Sequence, residues 1–263
     1  MVWQADSVLL SRLAFVLPLA AACKPSPDAV GRLLPYAYLL LQHPQAAMAV
    51  QMHKVIGSLL LHLCEQGEVE MAANALPFYM ERALAPACPC LPSAEGLSLG
   101  LPLALKGLPV GSPAALFCMQ RLAERCCAVL SSGEVDPSAV ARALMAQARP
   151  PQGASVGPTP AAPSTSDPAP SQRQQQEDAL AKLLSLLCGM LFSQDYQLLP
   201  RLAGLVAQVV AAAPAALQPS LLQHLLNALL NSDDYARRPQ LTAWMHSLLS
   251  RHSRAGSLSV TFL

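Results

Sequence analysis

Aromatic residues, charged residues and long apolar runs are all scarce in this chain of 263 residues, and each shortage excludes a class of protein. Phe, Trp and Tyr make up 5% of the chain, which favours packed helices over β-sandwiches, because sandwiches draw on aromatic and β-branched side chains. The formal net charge of +1 and the scattered Lys and Arg argue against nucleic-acid binding, which needs a basic stripe. No run of about 20 uninterrupted apolar residues occurs, so a helix that spans a membrane is not expected.

The sequence patterns that indicate an enzyme are missing as well. The chain has no glycine-rich phosphate loop after a strand and no nucleophile elbow, and the acidic pair Asp233-Asp234 falls in a predicted turn. The six histidines are isolated, and His62 and Cys64 have no further ligands at metal-binding spacing. The chain is therefore predicted to be non-enzymatic, with no cofactor and no metal.

Eight cysteines leave disulfides or metal binding to be considered. Cys118, Cys127 and Cys188 stand among apolar residues of predicted helices, where a free thiol behaves as a small hydrophobic group. Cys88-Pro-Cys90 has a loop-like setting but lacks the second cysteine pair or the histidines of a zinc site. A structural or incidental role is favoured for the set. This predicts a reducing compartment, the cytoplasm or the nucleus.

What the sequence does contain is a duplicated helical hairpin. Groups of apolar residues follow the i, i+3, i+4, i+7, i+8 spacing of one helix face, and the second pair of groups repeats the first pair 39 positions later. The connecting turn and a proline repeat with them. Trp244 lies on the predicted buried stripe and is interpreted as a core aromatic residue. The four faces are Leu183, Leu186, Leu187, Met190, Leu191; Leu202, Leu205, Val206, Val209, Val210; Leu222, Leu225, Leu226, Leu229, Leu230; and Leu241, Trp244, Met245, Leu248, Leu249.

The same hairpin is predicted near the N-terminus. Its first face begins at Leu33 and its second at Met52, a displacement of 19 positions that also separates the two helices of each C-terminal hairpin. A further face begins at Ala72, although Pro77 falls inside it. The predicted faces are Leu33, Tyr36, Ala37, Leu40, Leu41; Met52, Val55, Ile56, Leu59, Leu60; and Ala72, Ala75, Leu76, Tyr79, Met80.

Later in this half, Ser112 and Gly133 are predicted to cap the two ends of another helix. A shorter helix follows, opened by Asp136-Pro137.

Three segments break the helical pattern. Residues 85–111 are rich in Pro and Gly and are predicted to form an irregular loop, with at most a short helical piece from Leu99 to Lys106. Long loops are often functional, so this segment is the first candidate for a partner-binding excursion. Residues 150–178 are rich in Pro, Ser, Ala and Gln and predict a disordered linker. In the tail, residues 258–263 alternate like a strand without an obvious partner.

Paired helices with a period near 39, an acidic turn and basic residues at the start of the second helix resemble HEAT or armadillo repeats. The resemblance implies an all-α fold, an α-solenoid of stacked antiparallel hairpins interrupted by the linker. It also implies a ladder between repeats, for which Asp195, Asp234 and Arg238 are the best matches. Such solenoids present extended surfaces to protein partners. The expected organisation is 1–149 and 179–252 as helical repeats, 150–178 as linker and 253–263 as tail.

The resulting prediction is a scaffold or adaptor that binds protein partners, and it leaves the oligomeric state open. The N-terminus offers a rival interpretation. Leu13 to Ala22 is a short apolar run that follows Arg12 and ends before Cys23, as in a secretion leader or a lipoprotein anchor. The same residues also fit the first amphipathic helix of the repeat array, and the two interpretations remain open. Nucleic-acid binding on a curved face is a weaker alternative.

Overall fold

The structure is a computed structural model that describes residues 7–43, 45–84, 91–109, 112–147, 171–193, 199–230 and 238–254. Within these ranges the chain forms eleven α-helices and no strand, which confirms the all-α prediction. The helices are α1 (Ser7–Ala22), α2 (Pro27–Leu40), α3 (Ala46–Glu65), α4 (Val69–Ala83), α5 (Leu91–Lys106), α6 (Pro113–Ser132), α7 (Pro137–Gln147), α8 (Gln172–Ser193), α9 (Leu199–Ala212), α10 (Gln218–Leu230) and α11 (Arg238–Arg254).

Local sequence explains several helix ends. Ser26 caps α2, since its Oγ accepts a hydrogen bond from the Ala29 N–H at 3.4 Å, and Pro27 supplies a preset φ at the first helical position. Gly133 ends α6 with a φ of 71°, as predicted. Ser112 precedes α6, but its side chain makes no capping hydrogen bond, so that part of the prediction was wrong.

The contacts between helices form two series. In the first series α1, α3, α5, α8 and α10 contact one another in turn, and in the second α4, α6 and α9 do so. The series are joined by contacts of α3 with α4, α6 with α8, and α8 with α9, while α2 packs on α3 and α11 packs on α10. The short helix α7 packs on α8 and α10. One hydrophobic core runs through the described helices, so the segments before residue 148 and after residue 170 are packed together.

Most of the predicted helix faces are confirmed. Met52, Val55, Ile56, Leu59 and Leu60 are all buried on α3. The face of α2 differs from the prediction, because Val30 and Leu34 point into the core whereas Tyr36 is 50% exposed. Within the described residues, α3 alone is long and apolar enough to cross a membrane, and more than half of the apolar stretch is buried in the core.

The predicted irregular loop at 85–111 is wrong over most of its length. Residues 91–106 form α5, whose contact with α3 is the most extensive between any two helices of the described chain. Pro102 is tolerated inside α5 because it lies on the exposed side, where water can satisfy the carbonyl group that loses its partner. The predicted linker is also shorter than 150–178, since α8 begins at Gln172. The rest of that linker lies outside the described residues.

Candidate functional site

The second helix series contains a charged groove between α4 and α6, with a volume of about 350 Å³. Its apolar lining comes from Met80 on α4, from Leu84 directly after α4, and from Ala128 on α6. Four charged residues surround this lining, and Phe78 lies one turn before the first of them with 64% of its surface exposed. The charged residues are Glu81, Arg121, Glu124 and Arg125.

Contacts within α6 fix the charges on one wall of this α4–α6 groove. The Nη1 of Arg121 lies 3.2 Å from the Oε2 of Glu124, and the Arg121 guanidinium stacks 5.5 Å from the centre of the Phe117 ring. The Nε2 of Gln120 donates to the other carboxylate oxygen of Glu124 at 2.9 Å. Because these side chains contact one another, positive and negative charges occupy defined positions on this wall beside the apolar floor of the groove.

A second groove, of about 420 Å³, separates α9 from α11. It has a different chemistry, because none of its lining residues is charged. Small side chains form the α9 wall, and Trp244 of α11 lies on the opposite wall. Trp244 is therefore half-buried at a groove, where the sequence predicted a core position. The lining residues are Pro200, Ala203, Gly204, Ala207, Gln240, Trp244, Ser247 and Leu248.

The side chain of His53 on α3 is a fully buried polar group. Its Nδ1 lies 2.9 Å from the hydroxyl of Tyr79 on α4, and both side chains are fully buried. Burial lowers the pKa of His53 to about 4 and raises the pKa of Tyr79, so both groups are neutral near pH 7. The other ring nitrogen of His53, Nε2, has no hydrogen-bond partner in the described chain.

Glycines on α5 make room for this histidine. A Cβ added to Gly96 would overlap the His53 ring, and one added to Gly100 would overlap the His53 carbonyl oxygen. On α3, a Cβ added to Gly57 would overlap the Gly100 carbonyl oxygen. Gly57, Gly96 and Gly100 thus form a seam in which the backbones of α3 and α5 meet directly. The buried His53–Tyr79 pair lies against this seam and lines neither groove, so its observed contacts assign it to packing.

The other residues singled out from the sequence lie in separate places. The Nε2–H of His62 donates to the Pro25 carbonyl at 3.2 Å, which ties α3 to the connection between α1 and α2. Cys118 and Cys188 are buried, as predicted, and burial raises the pKa of each thiol to about 12. The described residues contain no group of three or more side chains that could hold a metal ion. The Cys88 and Cys90 pair lies outside them.

The side chains of the predicted ladder between repeats lie outside the described structure. Asp195 and Asp234 lie outside the described residues, and Arg238 opens α11 with its side chain outside the description as well. The ladder therefore stays a prediction.

A buried carboxylate that the sequence placed in the linker holds α7 to α8. Glu177 is 7% exposed, and its Oε1 accepts hydrogen bonds from the Asp136 backbone N–H at 3.0 Å and from the Arg173 Nε at 3.2 Å. The spacing of Glu177 from the apolar residues that follow it was the available signal. It was missed because the surrounding glutamines resembled the linker.

Replacing Glu177 by alanine is expected to lower the free energy of unfolding by about 1–3 kcal/mol, because the Asp136 N–H loses its buried acceptor. Urea unfolding followed by circular dichroism measures this loss. Glu124→Ala serves as the control, since the Arg121–Glu124 pair is half-exposed and should contribute less than about 1 kcal/mol. If the two substitutions lowered the free energy of unfolding equally, Glu177 would not be the residue that holds α7 to α8.

In comparisons with known proteins, no protein family, curated protein or solved structure matches this chain.

Proposed function

We propose that this chain is a non-enzymatic helical-repeat scaffold of the HEAT or armadillo type, which binds a protein partner through the α4–α6 groove. The proposal places it in the cytoplasm or nucleus, in keeping with the free thiols of its described cysteines.

Two observations support the repeat assignment. The pattern displaced by 39 residues falls on α8 and α9 and then again on α10 and α11. The helices also contact one another in two series joined by contacts within hairpins. A hairpin with one apolar face buries that face by stacking on its neighbours, and the stack leaves an extended surface with grooves between equivalent helices.

The chemistry of the α4–α6 groove is the observation that carries the proposed function. Its apolar floor suits the apolar side chains of a helix laid into the groove. Two acidic and two basic residues surround the floor. This balance favours a protein partner with charges of both signs over a polyanion, which would need an excess of basic residues.

The test exchanges the charges of this groove and keeps the fold. In an Arg121→Glu, Glu124→Arg double variant the ion pair within α6 can re-form. The positive and the negative charge have then exchanged positions, so they no longer match the charges of the partner. Affinity capture from the native source with mass spectrometry should then recover the partner at least about tenfold less well than with the original chain, because like charges brought together at an interface cost several kcal/mol.

The matched control exchanges another ion pair, which is partly exposed and lies between α5 and α8. The Nζ of Lys182 is 3.4 Å from the Oε1 of Glu95, and neither residue lines a groove. The Lys182→Glu, Glu95→Lys variant should therefore retain the partner. A partner that survives the groove exchange, or nucleic acid recovered in place of protein, would contradict the proposal. Melting temperatures of both variants show whether the fold is kept.

A further inference from the structure

The first helix, α1, carries an apolar stripe on its exposed side. Phe15 is 70% exposed and Leu19 is 56% exposed, and Val16 lies between them on the same side of the helix. The opposite side of α1 is apolar as well, because Ala14 and Leu17 are buried in the core. A helix that is apolar on all sides is normally surrounded by protein or lipid. We therefore expect the exposed stripe of α1 to be covered by a binding partner.

The neighbouring helix, α2, enlarges this apolar surface. Tyr36 and Leu39 are half-exposed, whereas Leu34 and Ala37 on the other side of α2 are buried. Helices α1 and α2 contact each other and both pack on α3, so their sides that face away from α3 adjoin. Five of the seven large apolar side chains that the described chain exposes lie on this surface, which we call the α1–α2 face.

Basic residues lie around the α1–α2 face. Arg12 precedes the apolar stripe of α1 and Lys24 follows it, while Arg32 lies one turn before Tyr36 on α2, and all three basic residues are exposed. Asp28 is the single acidic residue in 7–43, so three positive side chains and one negative side chain give this range a formal charge of +2. An apolar surface with basic residues at its edges matches a bilayer that contains anionic lipids.

We propose that the α1–α2 face docks on the anionic surface of a lipid bilayer, with α1 lying in the plane of the interface. Phe15, Val16 and Leu19 then enter the boundary between the head groups and the acyl chains, as the apolar side of an interfacial helix does. Arg12 and Lys24, at the two ends of the stripe, reach the lipid phosphates with their long side chains.

The length of the apolar run fits a helix that lies on the membrane. Residues 13–22 are ten apolar residues in succession, and a helix that crosses a bilayer needs about 20. The cytoplasmic leaflet carries anionic lipids, which agrees with the compartment proposed above. No residue of the α1–α2 face lines the α4–α6 groove, so this inference goes beyond the proposed function and does not depend on it.

Two other occupants fit the α1–α2 face less well. A second copy of the chain would meet the same face across a two-fold axis, which would bring the basic residues of the two copies together. A protein partner would form about one hydrogen bond per 100–200 Å² of interface. From residue 13 to residue 22 no side chain can donate or accept a hydrogen bond, and the acyl chains of a lipid require none.

Flotation of the original chain with lipid vesicles tests the proposal. Vesicles of phosphatidylcholine with about 30% phosphatidylserine should carry the protein to the top of a density gradient. Vesicles of phosphatidylcholine alone should bind it at least about tenfold more weakly, because each basic residue near an anionic surface strengthens binding about fivefold. Added salt should weaken the binding to the anionic vesicles, since it screens these charges.

Paired substitutions show whether the α1–α2 face makes the contact. Phe15→Ser with Leu19→Ser should weaken binding to the anionic vesicles at least about tenfold, because two large apolar side chains no longer enter the bilayer. The matched control is Phe78→Ser with Leu99→Ser, which changes the same two residue types at similar exposure on α4 and α5. This control should bind as well as the original chain. Circular dichroism and melting temperatures show whether each variant is folded.

Three results would overturn the proposal. The first is that the original chain does not float with the anionic vesicles, and the second is that the two double variants lose binding equally. The third is a dimer, seen by light scattering, that Phe15→Ser with Leu19→Ser abolishes, because the occupant of the face would then be a second copy. The same double variant should still capture the protein partner of the α4–α6 groove, so the two proposals can fail separately.

Discussion

Replacing Gly100 by alanine is expected to lower the free energy of unfolding by about 3 kcal/mol or more, because the added methyl group would overlap the backbone carbonyl oxygen of His53. A flexible side chain could move away from such a methyl group, but a carbonyl within α3 cannot move without shifting the helix. The α3–α5 contact is the most extensive in the described fold, so separating the two helices disturbs the centre of the core. Urea unfolding followed by circular dichroism gives the loss of free energy.

Gly57→Ala should act in the same direction, since its methyl group would overlap the Gly100 carbonyl from the other side of the seam. Once one substitution has forced α3 and α5 apart, fewer contacts between these helices remain for the second substitution to disrupt. The double variant should therefore lose less than the sum of the two single losses, as expected for residues in direct contact.

Gly189→Ala is the matched control for these substitutions. Gly189 lies within α8, is exposed, and would place its Cβ in open space. Alanine has the higher helix propensity, so this substitution should stabilise the protein by about 0.5–1 kcal/mol. If Gly100→Ala also stabilised the chain, the close approach of α3 and α5 would be contradicted.

Acidification from neutral pH to about pH 4 is expected to cost the fold roughly 3 kcal/mol through His53 alone. Burial lowers the pKa of His53 from 6.5 in the unfolded chain to about 4 in the folded protein. Between these two values the unfolded state binds more protons than the folded state, so stability falls as the pH falls. The contribution is complete above about pH 6.5 and is lost progressively toward about pH 4.

Among the described residues, no neighbouring group provides a compensating charge for His53. Tyr79 carries the hydroxyl nearest to His53, and its pKa is raised by burial and by the nearby Cys118, so it remains uncharged over this range. The Nε2 side of the ring faces the backbone of Gly96. Protonation therefore places a charge in the core without a carboxylate to pair with it, which is why the folded state resists it.

The measurement compares the pH dependence of unfolding in the original chain with that of His53→Asn. The asparagine amide can still bond to Tyr79 but does not titrate, so this variant should be less stable at neutral pH and should lose less stability on acidification. His224→Asn provides a comparison, because burial also lowers the pKa of His224 although that side chain is less enclosed. Identical pH profiles for His53→Asn and the original chain would refute the assignment.

Periodicity in the sequence was sufficient to place the helices whose apolar stripes are regular. All five predicted positions of α3 are buried, and so are four of the five predicted positions of α8 and of α9, because a helix that packs on one side repeats its apolar positions every three or four residues. The side chain of Leu191 on α8 lies outside the description, and Leu205 on α9 is half-buried. On α2 the predicted face was displaced by one residue at Leu33 and Tyr36. Apolar residues cover more of the circumference of this helix than the core buries, so their spacing alone does not identify the buried side.

Helix α5 was missed because its glycines and prolines were interpreted without their neighbours. Gly96 and Gly100 have the four-residue spacing of a close helix contact, which was the available signal. In an isolated helix such residues lower helix stability. They become favourable here because their lack of a side chain lets the backbone of α3 pack directly against α5. Glu177 was missed for a related reason, since its contribution to stability depends on a hydrogen bond from the Asp136 N–H, 41 residues away in the chain.

The sequence by itself determined that this protein is helical and that its C-terminal hairpin is duplicated, because the spacing of apolar residues is a local property of a helix. Only the tertiary structure decided that α5 packs through its glycines on α3, that His53 is buried beside Tyr79, and where the two grooves lie. These features depend on residues distant in the chain, and the distance between two helices is set by all the side chains between them. The charged α4–α6 groove and the uncharged α9–α11 groove are therefore products of packing, and the proposed partner-binding site is the α4–α6 groove.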